Sequence, residues 1–222
     1  MIRRTKQIYL LAVLCLAAAL VAATGCKPSQ PVENKPTPFT RQPIGIMGTD
    51  TALTAVAMGS DNDKASAALA DAEQALRDVE AKMSSWMEAT ELSQFNIAPA
   101  GKPADLSETT LGLLRLSKQL AVKTDGAFDV TCRPILQLWR SARKNKKLPA
   151  DQEIALAVSK CGWDKIQLGS DSATKTVGGA CVDLGGIAKG FGIDQAAEAL
   201  ENAGMLGAMV NVGGDVRCFG QR

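Results

Sequence analysis

Between Asp63 and Met83, apolar residues recur at Leu69, Ala72, Leu76, Val79 and Met83, steps of three and four that lay them along one helical face. A helix with one apolar stripe is stable in a domain only when another element covers that stripe. The preceding stretch offers a cover: from Met47 to Met58, Thr49, Thr51, Leu53, Ala55 and Ala57 alternate with their neighbours as a strand does. Downstream, Asp105 with Glu108 can cap a second helix, in which Leu113, Leu116 and Leu120 share a face before Gly126 ends it. Residues 150–160 read as a third, short helix. Residues 163–168 and 174–177 form a hairpin around Gly169-Ser170-Asp171, followed by an extended segment at 180–184. Residues 185–203 are helical after a glycine-rich start, and residues 208–219 return as a strand broken at Gly213-Gly214. This irregular alternation, with a hairpin in it, predicts an α+β (mixed α/β) domain. The 222 residues hold one large domain or two small ones, and no internal repeat is present.

The N-terminus reads differently. Arg3, Arg4 and Lys6 precede an apolar run from Ile8 to Ala23, the charged and greasy regions of a secretory signal. Roughly 16 apolar residues fall short of the ~20 that cross a bilayer as a helix. Ala23-Thr24-Gly25-Cys26 resembles a bacterial lipobox, with Ala23 where that box usually carries Leu. Arg3-Arg4 is a poor twin-arginine match. Pro28, Pro31, Pro36, Pro38 and Pro43 then keep the following stretch from forming a helix. The expected organisation is a signal at 1–25, a lipidated Cys26 with a proline-rich tether at 26–45, and a folded domain at 46–222. That domain is expected outside the cytoplasm, on the periplasmic side of a membrane to which Cys26 anchors it.

Removing residues 1–25 takes away three cations and no acid, so the formal charge falls from +2 to about −1. No strong pull on nucleic acid is left. The chain has no histidine, which excludes Ser-His-Asp and Cys-His nucleophile pairs and HExxH zinc sites within it. Catalysis here must rest on carboxylates, lysine, hydroxyls, backbone groups or an oxygen-bound metal. Beyond Cys15 and Cys26 remain Cys132, Cys161, Cys181 and Cys218, without a CxxC pair, so a zinc ribbon is not expected. An oxidising compartment permits disulfides among them, and either one bridge or several buried free thiols fits.

The most informative segment is Val182-Asp183-Leu184-Gly185-Gly186-Ile187-Ala188-Lys189-Gly190-Phe191-Gly192. It sets an acid at a strand end, two glycines that let backbone approach a ligand, and a lysine on the first helical turn. A helix N-terminus offers unpaired N–H groups and partial positive charge, so a phosphate can rest there with Lys189 adding a full charge. The segment is neither a Walker A loop nor GxGxxG, and by itself it reads first as a tight strand-to-helix turn. Asp129 in Gly126-Ala127-Phe128-Asp129-Val130 either contacts a ligand or caps the next turn. Trp86, at the end of Met83-Ser84-Ser85-Trp86, either stacks on a flat ring or belongs to the core. Arg140, Arg143, Lys144, Lys146 and Lys147 form a basic run that is a solvated face or a docking patch for an acidic partner.

Taken in order, five segments closely resemble the ApbE family of FAD:protein FMN transferases, whose members are often exported lipoproteins. They are Met47-Gly48-Thr49; Met83-Ser84-Ser85-Trp86 with Glu91-Leu92-Ser93-Gln94-Phe95-Asn96; Gly126 to Val130; Val182 to Gly190; and Asn211-Val212-Gly213-Gly214-Asp215. The resemblance implies a reaction in which a threonine hydroxyl of an acceptor protein attacks the FMN-side phosphorus of FAD and AMP leaves. Magnesium would neutralise charge on the departing group. It also implies roles: Met47, Trp86 (commonly Tyr in the family), Ala127, Phe128, Asp129, Asp183 and Lys189 line the FAD site. Asp183 and Lys189 are the catalytic candidates, and the Gly186 carbonyl goes to the metal. The acceptor would carry a Ser/Thr-Gly-Ala-Thr-like segment. Family members run on past Gly220-Gln221-Arg222, and their further residues complete the magnesium site. The chain as given is therefore expected to lack full transferase activity. The competing expectation is a lipid-anchored flavin-binding protein without turnover.

Overall fold

The computed structural model describes residues 34–220. The signal at 1–25, Cys26 and most of the tether lie outside the described residues. In chain order the first elements are β1 (Pro36–Arg41), β2 (Thr51–Met58), α1 (Asn62–Met83), α2 (Glu91–Ile97), β3 (Pro103–Asp105) and α3 (Glu108–Lys123). There follow α4 (Arg133–Asn145), α5 (Asp151–Val158), β4 (Ile166–Leu168), β5 (Ser172–Lys175), α6 (Ala188–Asn202), β6 (Gly207–Val212) and β7 (Asp215–Gly220). Two antiparallel sheets result, one of four strands in the order β1-β2-β6-β7 and one of three in the order β3-β5-β4.

Strand β2 alternates as its sequence predicts: Thr51, Leu53, Ala55 and Ala57 are buried and their neighbours half-buried. Its inner face meets α1 and α6 in a core of Leu53, Ala55, Ala57, Ala65, Leu69, Ala72, Leu76, Ile193, Ala196, Ala197, Leu200 and Val210. Many of these are alanines, which let helices and sheet approach closely. The far end of α1 enters a second core, where Val79 and Met83 join Leu92, Phe95, Leu111, Leu114, Val130, Ile166, Val182 and Leu184. One long helix thus ties both cores together, and the site described below opens where it leaves the first for the second.

Four sequence expectations are corrected. The folded part begins at Pro36 rather than Ile46, because β1 pairs antiparallel with β2, with Pro38 opposite Val56. Proline is tolerated on an edge strand, whose outer face needs no N–H donor. Arg41 reaches Glu73 on α1 and fastens this edge. The cap of α3 is Ser107, whose hydroxyl accepts the Thr110 N–H, while Asp105 closes β3 opposite Ser172. Residues 180–184 are extended but belong to no sheet. The Asn96 side chain stands in for a neighbouring strand: its Nδ2 donates to the Val182 carbonyl at 2.9 Å and its Oδ1 accepts the Val182 N–H at 2.8 Å. The break at Gly213-Gly214 is a two-residue hairpin turn joining β6 to β7, with φ +63° and +93°, a conformation that favours glycine.

Candidate functional site

The N-terminal turn of α6, the C-terminal end of α1 and the turn before β2 converge on a cavity of about 550 Å³. Its lining includes Met47, Gly48, Glu80, Ser85, Trp86, Asp183 and Lys189. Four of the residues expected in the FAD site (Met47, Trp86, Asp183 and Lys189) therefore share one cavity, although 142 positions separate the first from the last.

Met47 adopts φ +50° and donates its N–H to Glu80 Oε1 at 2.9 Å, which locks the turn onto α1. Gly192 makes room for it: a Cβ there would lie 2.8 Å from Met47 Cε and 3.2 Å from Leu76 Cδ2. Ser84, the residue after α1, turns the chain out of the helix. Its carbonyl accepts the Thr90 and Ser93 hydroxyls at 2.7 and 3.2 Å, so the Ser84–Trp86 segment is tied to the N-terminus of α2. Trp86 is 78% exposed, so it is not a core residue.

Asp183 is the electrostatic centre. Its Oδ1 accepts the Gly185 N–H at 2.9 Å, and its Oδ2 accepts Arg133 Nη1 at 3.0 Å and the Ser85 hydroxyl at 3.4 Å. Arg133 also donates from Nη2 to the Ser85 carbonyl at 3.1 Å. The side chains of Asp183 and Arg133 are only 10% and 11% exposed, so this is a buried ion pair. A second guanidinium, Arg140, lies 3.7 Å from Asp183 Oδ2 and stacks over the Trp86 ring, 4.6 Å from its centroid. With donors on both oxygens, the carboxylate is built to orient the Ser85–Trp86 segment and the Gly185 turn.

No side chain caps α6; the Ala188 N–H goes to the Leu184 carbonyl and the Phe191 N–H to the Ile187 carbonyl, so the first-turn amides left for a ligand are those of Lys189 and Gly190. Lys189 on that turn pairs with Asp215 at 2.8 Å, from just past the hairpin turn of the large sheet. Both side chains are partly exposed, so the lysine can exchange this partner for an incoming anion at little cost. Uncapped amides and an adjacent lysine together suit a phosphate or pyrophosphate.

The remaining predicted residues are not among those that line this cavity. Phe128 packs against the second core, and its Cε2 lies 3.5 Å from where a Gly186 Cβ would stand. Asp129 accepts the Thr131 N–H at 2.8 Å, so its carboxylate caps the short turn Val130–Cys132. Ala127 and Gly186 are not among the lining residues either. Magnesium takes a near-octahedral shell of oxygens. Among the described residues no group of three or more carboxylate, thiol or imidazole side chains converges to hold a metal, so the Gly186 carbonyl does not make a site with them. Cys132, Cys161, Cys181 and Cys218 are all free thiols, with Cys181 buried and Cys218 exposed. Burial pushes the Cys132, Cys161 and Cys181 thiols above their usual range, which lowers the fraction present as thiolate.

Sequence reasoning missed Arg133, the role of Arg140 and Glu80. Arg133, Gln137 and Arg140 fall on one face of α4, and recognising that helix from its sequence is the signal that could have grouped the arginines.

Residues 47–222 match the model of the ApbE family. The chain belongs to the ApbE family. Among its relatives, the FAD:protein FMN transferase of Haemophilus influenzae is 37% identical over 160 residues, covering 67% of this chain and 45% of that protein. The FAD:protein FMN transferase of Escherichia coli K12 is 26% identical over 216 residues, covering 93% of this chain and 60% of its own. The flavin transferase ApbE from Vibrio cholerae superposes with a TM-score of 0.75 at 25% identity, over 85% of this chain and 61% of that one. The flavinyl transferase ApbE of Pseudomonas stutzeri, in its apo form, shares the fold with a TM-score of 0.74 at 24% identity, over 85% of this chain and 60% of that one. The chain spans about half to three fifths of the length of these ApbE relatives.

Proposed function

We propose that this chain carries the dinucleotide site of an FAD:protein FMN transferase. The observation that carries the reading is the uncapped start of α6, with Lys189 beside it, opening into the cavity walled by Met47 and Trp86. In this reading the pyrophosphate of FAD rests on the first turn of α6 and against Lys189, which leaves Asp215 to do so. A flat ring of the dinucleotide lies against Trp86. Asp183, held by Arg133, fixes the Gly185 turn and the Ser85–Trp86 segment so that both ends of the ligand meet prepared surfaces. The acceptor's threonine oxygen then bonds to the FMN-side phosphorus and gives up its proton, while the bond from that phosphorus to the bridging oxygen breaks and AMP leaves. Lys189 and the positive end of α6 beside the pyrophosphate stabilise the charge that grows on AMP, the main source of rate in such transfers. Magnesium is part of the proposed reaction, but its ligands are not assembled by the described residues.

The relatives' name, FAD:protein FMN transferase, supports both the donor and the protein acceptor. The proposed location is the outer side of a bacterial membrane, with a lipid on Cys26. Among the described residues no helix is long and apolar enough to cross a membrane. Metabolic labelling with a radioactive fatty acid tests the anchor, and Cys26→Ala should abolish the label.

The test of function is incubation of the chain with FAD and an acceptor polypeptide bearing a Ser/Thr-Gly-Ala-Thr segment, with and without magnesium. A fluorescent acceptor band after denaturing electrophoresis supports the transferase. Retained flavin without transfer supports the dinucleotide site but makes this chain by itself a flavin-binding unit, and absence of both overturns the reading.

A further inference from the structure

Arg140 lies on α4 seven positions after Arg133, and its guanidinium touches two parts of the site at once. It is 3.7 Å from Asp183 Oδ2 and 4.6 Å from the centroid of the Trp86 ring. Asp183 already has Arg133 at 3.0 Å, so a second cation is not needed to balance the buried carboxylate. Arg140 instead adds a link from that carboxylate to an indole that is 78% exposed. An exposed tryptophan that is free to turn loses rotamer entropy when a ligand fixes it. A guanidinium stacked on one face removes that freedom beforehand, and an arginine suits this better than a lysine because its planar group can stack and hydrogen-bond together. Arg140 itself is not among the residues lining the cavity, whereas Trp86 and Asp183 are.

We propose that Arg140 is a positioning residue of this site: anchored at Asp183, it pins the Trp86 indole as a rigid wall against which a flat heteroaromatic ring of the ligand stacks. The pinning stands on the geometry alone, and the ligand's identity as a flavin dinucleotide rests on the function proposed above. Arg140 acts through Trp86 and not by touching the ligand.

Two measurements test it. The first uses no ligand: acrylamide quenching of tryptophan fluorescence, with the Trp86 signal taken as the difference between each protein and its Trp86→Phe counterpart. Arg140→Ala should make that indole more readily quenched, and Arg140→Lys should fall between. The second is titration with FAD. Arg140→Ala should weaken binding by about fivefold, the scale of an exposed cation–π contact plus one ordered side chain. In a Trp86→Ala background the same substitution should change nothing, because the residue acts through the ring. The Arg140 side chain is 45% exposed, so an unchanged thermal midpoint serves as the control for folding. Unchanged quenching means the indole is not pinned, and losses that add across the two backgrounds make Arg140 a direct contact; either result overturns the proposal. If the unmodified chain does not bind FAD, the flavin reading falls, while the quenching measurement still decides for or against the pinning.

Discussion

Replacing Asp183 with alanine should destabilise the domain more than any other single change at the site. The reason lies in its partner: Arg133 is 11% exposed, and its Nε is already buried without a hydrogen-bond acceptor. Removing the carboxylate leaves a guanidinium buried and uncompensated, which costs about 3–5 kcal/mol. The Gly185 N–H and the Ser85 hydroxyl lose their acceptor as well, but both lie beside an open cavity where water can replace it. For a domain of this size each kcal/mol moves the thermal midpoint by about 2–4 °C, so a fall of roughly 6–20 °C is expected. Asp183→Asn keeps one acceptor oxygen and should cost less, about 1.5–3 kcal/mol, the worth of a hydrogen bond to a charged group. The decisive member of the series is Asp183→Ala combined with Arg133→Met, which removes both charges and should recover a large part of the loss. Urea unfolding followed by circular dichroism reads these differences, provided the slope with denaturant is unchanged. A single Asp183→Ala variant within about 1 kcal/mol of the parent, or a double variant no better than the single, would refute the buried pair as the organiser of the site.

Three other outcomes follow from the same geometry. Asn96→Ala deprives Val182 of both its backbone partners and should cost about 2–4 kcal/mol in urea unfolding, whereas a loss below 1 kcal/mol would mean residues 180–184 are held otherwise. In the hairpin turn, Gly214→Ala meets nothing and should cost about 1–2 kcal/mol for its positive φ alone, while Gly213→Ala, whose Cβ would lie 2.4 Å from Thr49 Oγ1, should cost clearly more; equal losses contradict the packing of this turn against Thr49. Lys175 is 3% exposed and donates to the Asn96 carbonyl at 2.7 Å, and burial holds its ammonium below the usual lysine range. The folded state therefore binds fewer protons than the unfolded chain between the lowered and the ordinary value, so stability should rise with pH across that window. The difference in urea midpoint between the parent and Lys175→Met should show this rise, and a flat difference would contradict it.

The parts of the fold legible in the sequence are those whose pattern is local. The period-two burial of β2 and the three-and-four spacing along α1 could be read because one face of each meets a core. Helix α4 carries the same kind of signal, Ile135, Leu138, Trp139 and Ala142 at steps of three and four, but Pro134 at its start and the basic run that begins at Arg140 obscure it. Strand β1 was masked by its prolines, which forbid a helix but not an edge position. The segment 180–184 looked like a strand because it is extended and apolar, yet it is held by the Asn96 side chain, 86 positions away, and by the Val130 carbonyl, which accepts the Asp183 N–H at 2.8 Å, and no local pattern shows either. The site divides in the same way. Asp183, Gly185 and Lys189 are close in sequence and were read together. The pairing of Asp183 with Arg133 spans 50 positions and depends on how α4 lands beside the end of α1. Asp129, singled out as a possible ligand, turned out to be engaged as a cap, the role its place before a helical turn also allowed.

The account rests on where a dinucleotide sits, and a crystal structure of the chain grown with FAD examines that most directly. Its pyrophosphate should lie on the first turn of α6 within hydrogen-bond reach of Lys189, with one ring system against Trp86 and the Lys189–Asp215 pair opened. FAD bound away from this cavity, or a cavity left empty at saturating FAD, would contradict the assignment.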